Sequence, residues 1–158
     1  MRYLIFSFVV LFLSSFTKPV DQFPDVTLKD MSGKTVRLHD IFEKNEKTII
    51  SFWATWCSPC KLELDAIAEV YEEWKEEYGV ELIAITIDNA RGLASAPGLV
   101  QTKGWEYDIL VDKNQDMLRA LNFQTIPQTF VVDNTGKIIY SHNGYTPGDE
   151  YELEDQLK

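Results

Sequence analysis

The sequence predicts an α/β domain in which strands and helices alternate, and three stretches carry that expectation. Thr48 to Trp53 is an apolar run that reads as a buried strand. Beyond Cys57-Ser58-Pro59-Cys60, the residues Cys60, Leu64, Ile67, Tyr71, Trp74 and Tyr78 recur at intervals of three and four, which is one face of a helix. Gly79 then ends the helix, and Val80 to Ile87 is a nearly continuous apolar strand, as expected where both faces of a sheet are covered. Strand, helix and strand in this order imply a parallel pair joined by a right-handed crossover. The chain has 158 residues, 45% hydrophobic and 13% aromatic, which suits one globular domain with a sizeable core.

At the N-terminus, Met1 and Arg2 precede an apolar run, Tyr3 to Leu13, and then small polar residues. That order predicts an export signal over residues 1–17, with the domain proper over 18–158. The alternative is a short membrane anchor, against which the run, even extended to Phe16, is shorter than the roughly 20 residues that span a bilayer. The formal net charge of −10 becomes one unit more negative if residues 1–17 are removed, and excludes nucleic acid or anionic lipid as a natural partner.

After a short tether, Val26-Thr27-Leu28 and Thr35-Val36-Arg37-Leu38 alternate around Asp30-Met31-Ser32-Gly33, which predicts a hairpin. Gly33-Lys34-Thr35 matches the end of a phosphate-binding loop, but the glycine required five positions earlier is Leu28, so nucleotide binding is rejected. His39 to Phe42 suggests a helical turn, and nothing near His39 has base-and-nucleophile spacing.

Cys57 and Cys60 are the only cysteines, and they sit where the central strand hands over to the long helix. A helix start offers N–H groups without intrahelical partners and the positive end of the helix dipole, and both stabilise an anion. A thiolate so placed can have its pKa lowered from about 8.5 to roughly 3.5–7.5, and the thiolate is the reactive species. Cys57, at or just before the first turn, is the expected attacking sulfur, and Cys60, one turn further in, the resolving one. A structural zinc site needs two more ligands, and His39 and His142 form no such pair. An inert structural disulfide would require neither the flanking Trp56, nor Pro59 inside the motif, nor the strand-to-helix placement.

The charged residues Glu69, Glu72, Glu73, Lys75, Glu76 and Glu77 form the solvated face of this helix. From Asn89 the chain offers a helical candidate over 91–103 interrupted by Pro97-Gly98, a strand from Asp108 to Val111 and a helix from Gln115 to Leu121. Asp112 to Asp116 imitates the start of a calcium loop, but Met117 and Phe123 stand where glycine and glutamate are needed, which leaves helix capping. Pro127 precedes the strand Thr129 to Val132, and Asn134-Thr135-Gly136 turns the chain into Lys137 to Tyr140. Thr146-Pro147 reads as an N-cap with proline at the first helical position, opening a last helix through Leu157.

Trp53-Ala54-Thr55-Trp56-Cys57-Ser58-Pro59-Cys60-Lys61 resembles the active-site stretch of the thioredoxin superfamily, and within it the exported TlpA/ResA-like thiol-disulfide oxidoreductases. Thr125-Ile126-Pro127 resembles the segment whose proline is cis and faces the cysteine pair. The resemblance extends from Phe23 to the C-terminus. It implies a thioredoxin-like fold, with a central mixed sheet, helices on both faces, an N-terminal hairpin and an inserted strand-helix unit. It also implies Cys57 and Cys60 as a redox-active disulfide, substrate binding along Trp56, Ile126 and Pro127, and no cofactor. Two departures stand out. Thioredoxins proper carry a buried aspartate where this chain has Ser51, and a kinking proline where it has Asp65. In TlpA/ResA-like proteins a glutamate three residues after the second cysteine is associated with proton transfer, and Glu63 occupies that position.

The expected partners are proteins carrying disulfides or dithiols and an upstream thiol-disulfide electron donor. Two other function classes compete. One is a non-catalytic thioredoxin-like module that binds a partner or a haem precursor with idle cysteines. The other is a thiol peroxidase, which needs Pro-x-x-x-Thr-x-x-Cys. The residues seven and three before Cys57 are Ile50 and Ala54, and those before Cys60 are Trp53 and Cys57.

Overall fold

The computed structural model describes residues 21–158, so the stretch read as an export signal lies outside the described residues. The first alternation becomes the expected hairpin, β1 (Thr27–Asp30) and β2 (Thr35–Arg37). Its turn is held by Asp30, which accepts from the N–H groups of Ser32 and Lys34 at 2.8 and 2.9 Å, while Gly33 takes φ +90°. Helix α1 (Leu38–Phe42) follows at once and includes Leu38, which alternation alone assigns to the strand. Next come β3 (Lys47–Trp53), α2 (Ser58–Tyr78), β4 (Glu81–Thr86), α3 (Ala90–Lys103), β5 (Asp108–Val111) and α4 (Asp116–Ala120). The chain finishes with β6 (Gln128–Asp133), β7 (Ile138–Asn143) and α5 (Asp149–Asp155).

All seven strands form one mixed sheet in the order β2-β1-β5-β4-β3-β6-β7. β3 pairs in parallel with β4 and antiparallel with β6, and β4 pairs in parallel with β5. β3 is buried on both faces, which is why its sequence is a run and not an alternation. On one face Trp53 meets Trp105 edge to face, at 5.1 Å between ring centroids, and α2 covers the sheet with α5 beside it. On the other face Phe52 meets Phe130 and Phe123, and Phe23 bridges Phe130 to Phe42 of α1. Helices thus cover both faces, as expected.

Two local readings change. α3 runs unbroken through Pro97. The residue is exposed, so the Leu93 carbonyl that loses its helical donor can turn to water. The Asn89 side chain caps the helix by accepting from Arg91 and Gly92 N–H. At the other end of the chain, the N-cap of α5 is Gly148 at φ +110°, two residues beyond Thr146. Asp149 instead accepts from Thr146 N–H at 2.7 Å and closes the turn before the helix, so Thr146-Pro147 belongs to that turn. The calcium imitation resolves as expected into capping: Asp112 accepts from the N–H groups of Asp116 and Met117, both at 2.9 Å.

Candidate functional site

The N-cap of α2 is Cys57 itself, in extended backbone, and its sulfur accepts the Cys60 N–H at 3.3 Å. A sulfur here does what a serine or aspartate oxygen does at other helix starts, so negative charge on it is directly stabilised. Pro59 lies in the first turn, where a missing N–H leaves nothing unpaired. Cys57 and Cys60 are joined as a disulfide with Cα atoms 5.4 Å apart. Cys57 keeps 4% of its surface exposed and Cys60 none. The order of access is the expected one, although Cys57 offers only a narrow sulfur edge.

The Ile126–Pro127 peptide is cis, and the Ile126 carbonyl oxygen lies 3.8 Å from Cys57 Sγ. Asn143 holds this loop in place. Its amide donates to the Thr125 carbonyl at 3.1 Å and to Gln128 Oε1 at 3.0 Å, and its own oxygen accepts from the Thr125 hydroxyl at 2.9 Å. Trp56, at 66% exposure, stands out beside the cysteines, with Leu62 exposed one turn along α2. An indole turned to solvent does not pack the core and is free to serve as an apolar wall.

Glu63 is more deeply placed than the sequence suggests. It is 5% exposed, and its carboxylate accepts from the hydroxyls of Ser51 and Thr129, each at 2.7 Å. The sheet register sets these two donors side by side, because Ser51 of β3 pairs with Thr129 of β6. The Ser51 departure is therefore matched by Glu63: a carboxylate reaches this part of the interior from the helix, and Ser51 hydrogen-bonds it. Burial pushes the Glu63 carboxyl above its ordinary value, against the opposing pull of the Thr129 and Ser51 hydrogen bonds. Glu63 is three residues after Cys60, on the same side of α2. Asp65, at the site of the missing proline, accepts from Trp105 Nε1 at 3.0 Å and pairs with Lys103.

Asp88 was not legible from the sequence. It is fully buried just after β4, and its oxygens accept from Thr55 N–H at 2.8 Å, the Thr55 hydroxyl at 2.9 Å and the Thr86 hydroxyl at 2.8 Å. It ties the loop before Cys57 to the neighbouring strand. Lys61 Nζ donates to the Thr55 carbonyl at 2.9 Å and fixes the same loop from the helix side. The only available signal was its place at the carboxyl end of a parallel strand, where open α/β sheets carry their sites. Asp88→Ala leaves three donors unmatched and is expected to cost about 3 kcal/mol or more in urea unfolding, with slower disulfide exchange. Gly92 belongs to the same arrangement, since a Cβ there would lie 2.1 Å from Asp88 Oδ1. Gly92→Ala is expected to destabilise by about 1–3 kcal/mol.

Among the described residues, no three His, Cys, Asp or Glu side chains converge as a metal-binding group, and no helix is long and apolar enough to cross a membrane.

Residues 19–141 match the model of the AhpC/TSA family. The chain is 30% identical over 116 residues to the thiol-disulfide oxidoreductase ResA of Bacillus thuringiensis (strain Al Hakam); the match covers 73% of this chain and 64% of that protein. Among solved structures, it resembles an uncharacterized thioredoxin-like protein from Porphyromonas gingivalis, with TM-score 0.74, 45% identity and coverage of 89% and 92% of the two chains. It also resembles a putative thiol:disulfide interchange protein DsbE from Chlorobium tepidum, with TM-score 0.75, 25% identity and coverage of 87% and 93%. The fold shared with these proteins is the thioredoxin-like one expected from residues 53–61 and 125–127.

Proposed function

The chain belongs to the AhpC/TSA family, and from that premise we propose that it is a protein thiol-disulfide oxidoreductase of the cell envelope, working chiefly as a reductant. The observation that carries this reading is the Cys57 sulfur at the cap of α2, receiving the Cys60 N–H 3.3 Å away, with the Ile126 carbonyl on its open side. The names of the ResA and DsbE relatives support the same chemistry.

In the reduced protein the Cys57 thiolate attacks one sulfur of a substrate disulfide, forming a mixed disulfide and releasing one substrate thiolate. Cys60 gives its proton to Glu63, and its thiolate attacks the Cys57 sulfur, expelling the second substrate thiolate, which takes a proton from water. Two electrons have passed to the substrate, and the chain is left with the Cys57–Cys60 disulfide seen in the structure. An upstream dithiol donor returns it to the reduced state by the reverse exchange. The backbone beside Pro127 offers a strand-like edge for substrate, and Trp56 and Ile126 offer apolar contact.

Insulin reduction coupled to a dithiol donor tests the activity. Turnover that disappears in Cys57→Ala is the expected result, and an inactive wild type with an intact, reducible disulfide would favour the idle-module reading. The pattern of residues 1–17 supports export, with cytochrome c maturation or general envelope redox balance as the setting. Cell fractionation should then find the protein in the envelope fraction, free or tethered through that segment, and full-length protein in the cytosol would contradict export.

A further inference from the structure

The Glu63 carboxylate faces two ways. Along α2 it shares a side with Cys60; across the sheet it lines a cleft bounded by Ile67, Tyr140, His142, Asp149 and Leu153. The cleft has about 10 Å³ of room for the centre of a water-sized sphere, close to the smallest space that holds one water. His142 of β7 and Asp149 of α5 face each other there, with Nε2 3.1 Å from Oδ2 and side chains 29% and 24% exposed. The cleft thus runs from a carboxylate at 5% exposure to a histidine that meets solvent.

We propose that this cleft is the proton exit of Glu63, with His142, held by Asp149, as the group that passes the proton to solvent. The inference rests on the proton-acceptor role given to Glu63 above. When Cys60 is deprotonated, Glu63 becomes a neutral acid. It returns that proton through one water in the cleft to the neutral imidazole of His142, and the resulting imidazolium, beside Asp149, releases it to bulk. No electrons move, and the carboxylate is restored for the next cycle.

The groups facing Glu63 leave few other takers. β3 and β6 present the hydroxyls of Ser51 and Thr129, both already donating to it. β7 presents Tyr140 and His142, and α5 presents Asp149 and Glu150, of which Glu150 is held by the Tyr145 hydroxyl at 2.9 Å. On the far side of α2, Tyr107 donates to the Leu64 carbonyl, and Asp65 is occupied by Lys103 and Trp105. Among the described residues, no lysine or arginine lines the cleft. Histidine is the lining side chain whose ring can accept a proton at one nitrogen and give one up from the other. Charge on His142 favours the Glu63 anion and charge on Asp149 opposes it, so the two should tune Glu63 in opposite directions.

Multiple-turnover reduction of a peptide disulfide by the full-length protein, recharged by excess dithiol, between pH 5 and 9 tests this. His142→Gly is expected to slow turnover several-fold, with free imidazole restoring the rate in a saturable way. Carboxyl NMR of the same proteins should show Glu63 titrating at higher pH in His142→Gly and at lower pH in Asp149→Asn, by roughly three- to tenfold in proton affinity. Wild-type rates and titration in both variants would overturn the proposal, as would a loss in His142→Gly that imidazole leaves unchanged. Glu63→Gln is the control. If it matches wild type at every pH, the acceptor role of Glu63 fails; if it alone is impaired, only the exit route does.

Discussion

Cys57→Ala should lose disulfide reductase activity by on the order of a thousandfold or more, because the one thiol left, Cys60, is fully buried and does not sit at the helix cap. Cys60→Ala should fail differently. It keeps the attacking sulfur, the helix start and the Ile126–Pro127 groove, and it loses only resolution. Attack then stops at the mixed disulfide, and the variant produced in its own cells should accumulate as covalent adducts that dithiothreitol releases. The double variant should yield none. The captured proteins also define the biological setting: a narrow set of cytochrome maturation factors and a broad set of misfolded envelope proteins are different outcomes of the same experiment. Equal trapping by Cys57→Ala and Cys60→Ala would contradict the division of labour between the two sulfurs.

The second large effect concerns Glu63 and stability. Its carboxyl is held above the ordinary value by burial. The folded state therefore binds the proton more tightly than the unfolded chain, and stability from this group is complete below the unfolded pKa and lost as pH rises through the folded one. Each unit of displacement corresponds to about 1.4 kcal/mol. Glu63→Gln keeps the shape, removes the charge and lets the Ser51 and Thr129 hydroxyls rotate to meet the amide. It should therefore match wild type in acid and become more stable than wild type above the folded pKa, while the resolving step becomes slower and less dependent on pH. Glu63→Ala should be worse at every pH, because two buried hydroxyls lose their acceptor, at about 1–3 kcal/mol each. Parallel stability curves for wild type and Glu63→Gln between pH 4 and 9 would show that burial does not perturb this carboxyl.

The sequence made visible whatever is written in neighbouring residues. The buried run of β3, the cysteines at its end, the 3–4 spacing of α2 and the turn at Asn134-Thr135-Gly136 each lie within a short window, and each formed where expected. Pro127 was legible only through the resemblance of its tripeptide, since nothing local separates a cis proline from a trans one. The supports of the site were hidden, because their partners meet only through packing. Asp88 meets Thr55 across 33 residues, and Thr129 meets Glu63 across 66. Glu63 looks like a residue at the margin of an apolar stripe until the pairing of Ser51 with Thr129 roofs it with hydroxyls. The misread helix interruption and the misread helix start have a related cause. Pro97 is tolerated because its side of α3 faces water, and Thr146 is no cap because Asp149 takes its N–H and Gly148 supplies the left-handed turn. Side-chain alternatives of this kind are equal in sequence and are decided by the surrounding structure.

The central claim is that the start of α2 makes Cys57, and not Cys60, the thiolate that attacks. Its most direct test is the order of alkylation. The fully reduced protein is exposed to a limiting amount of iodoacetamide across pH 4 to 10, and each site is quantified by peptide mapping. Labelling that falls first on Cys57, with a midpoint well below the ordinary thiol value of about 8.5, is expected, with Cys60 modified only at higher pH. Labelling that begins at Cys60, or a Cys57 midpoint at the ordinary thiol value, would contradict it.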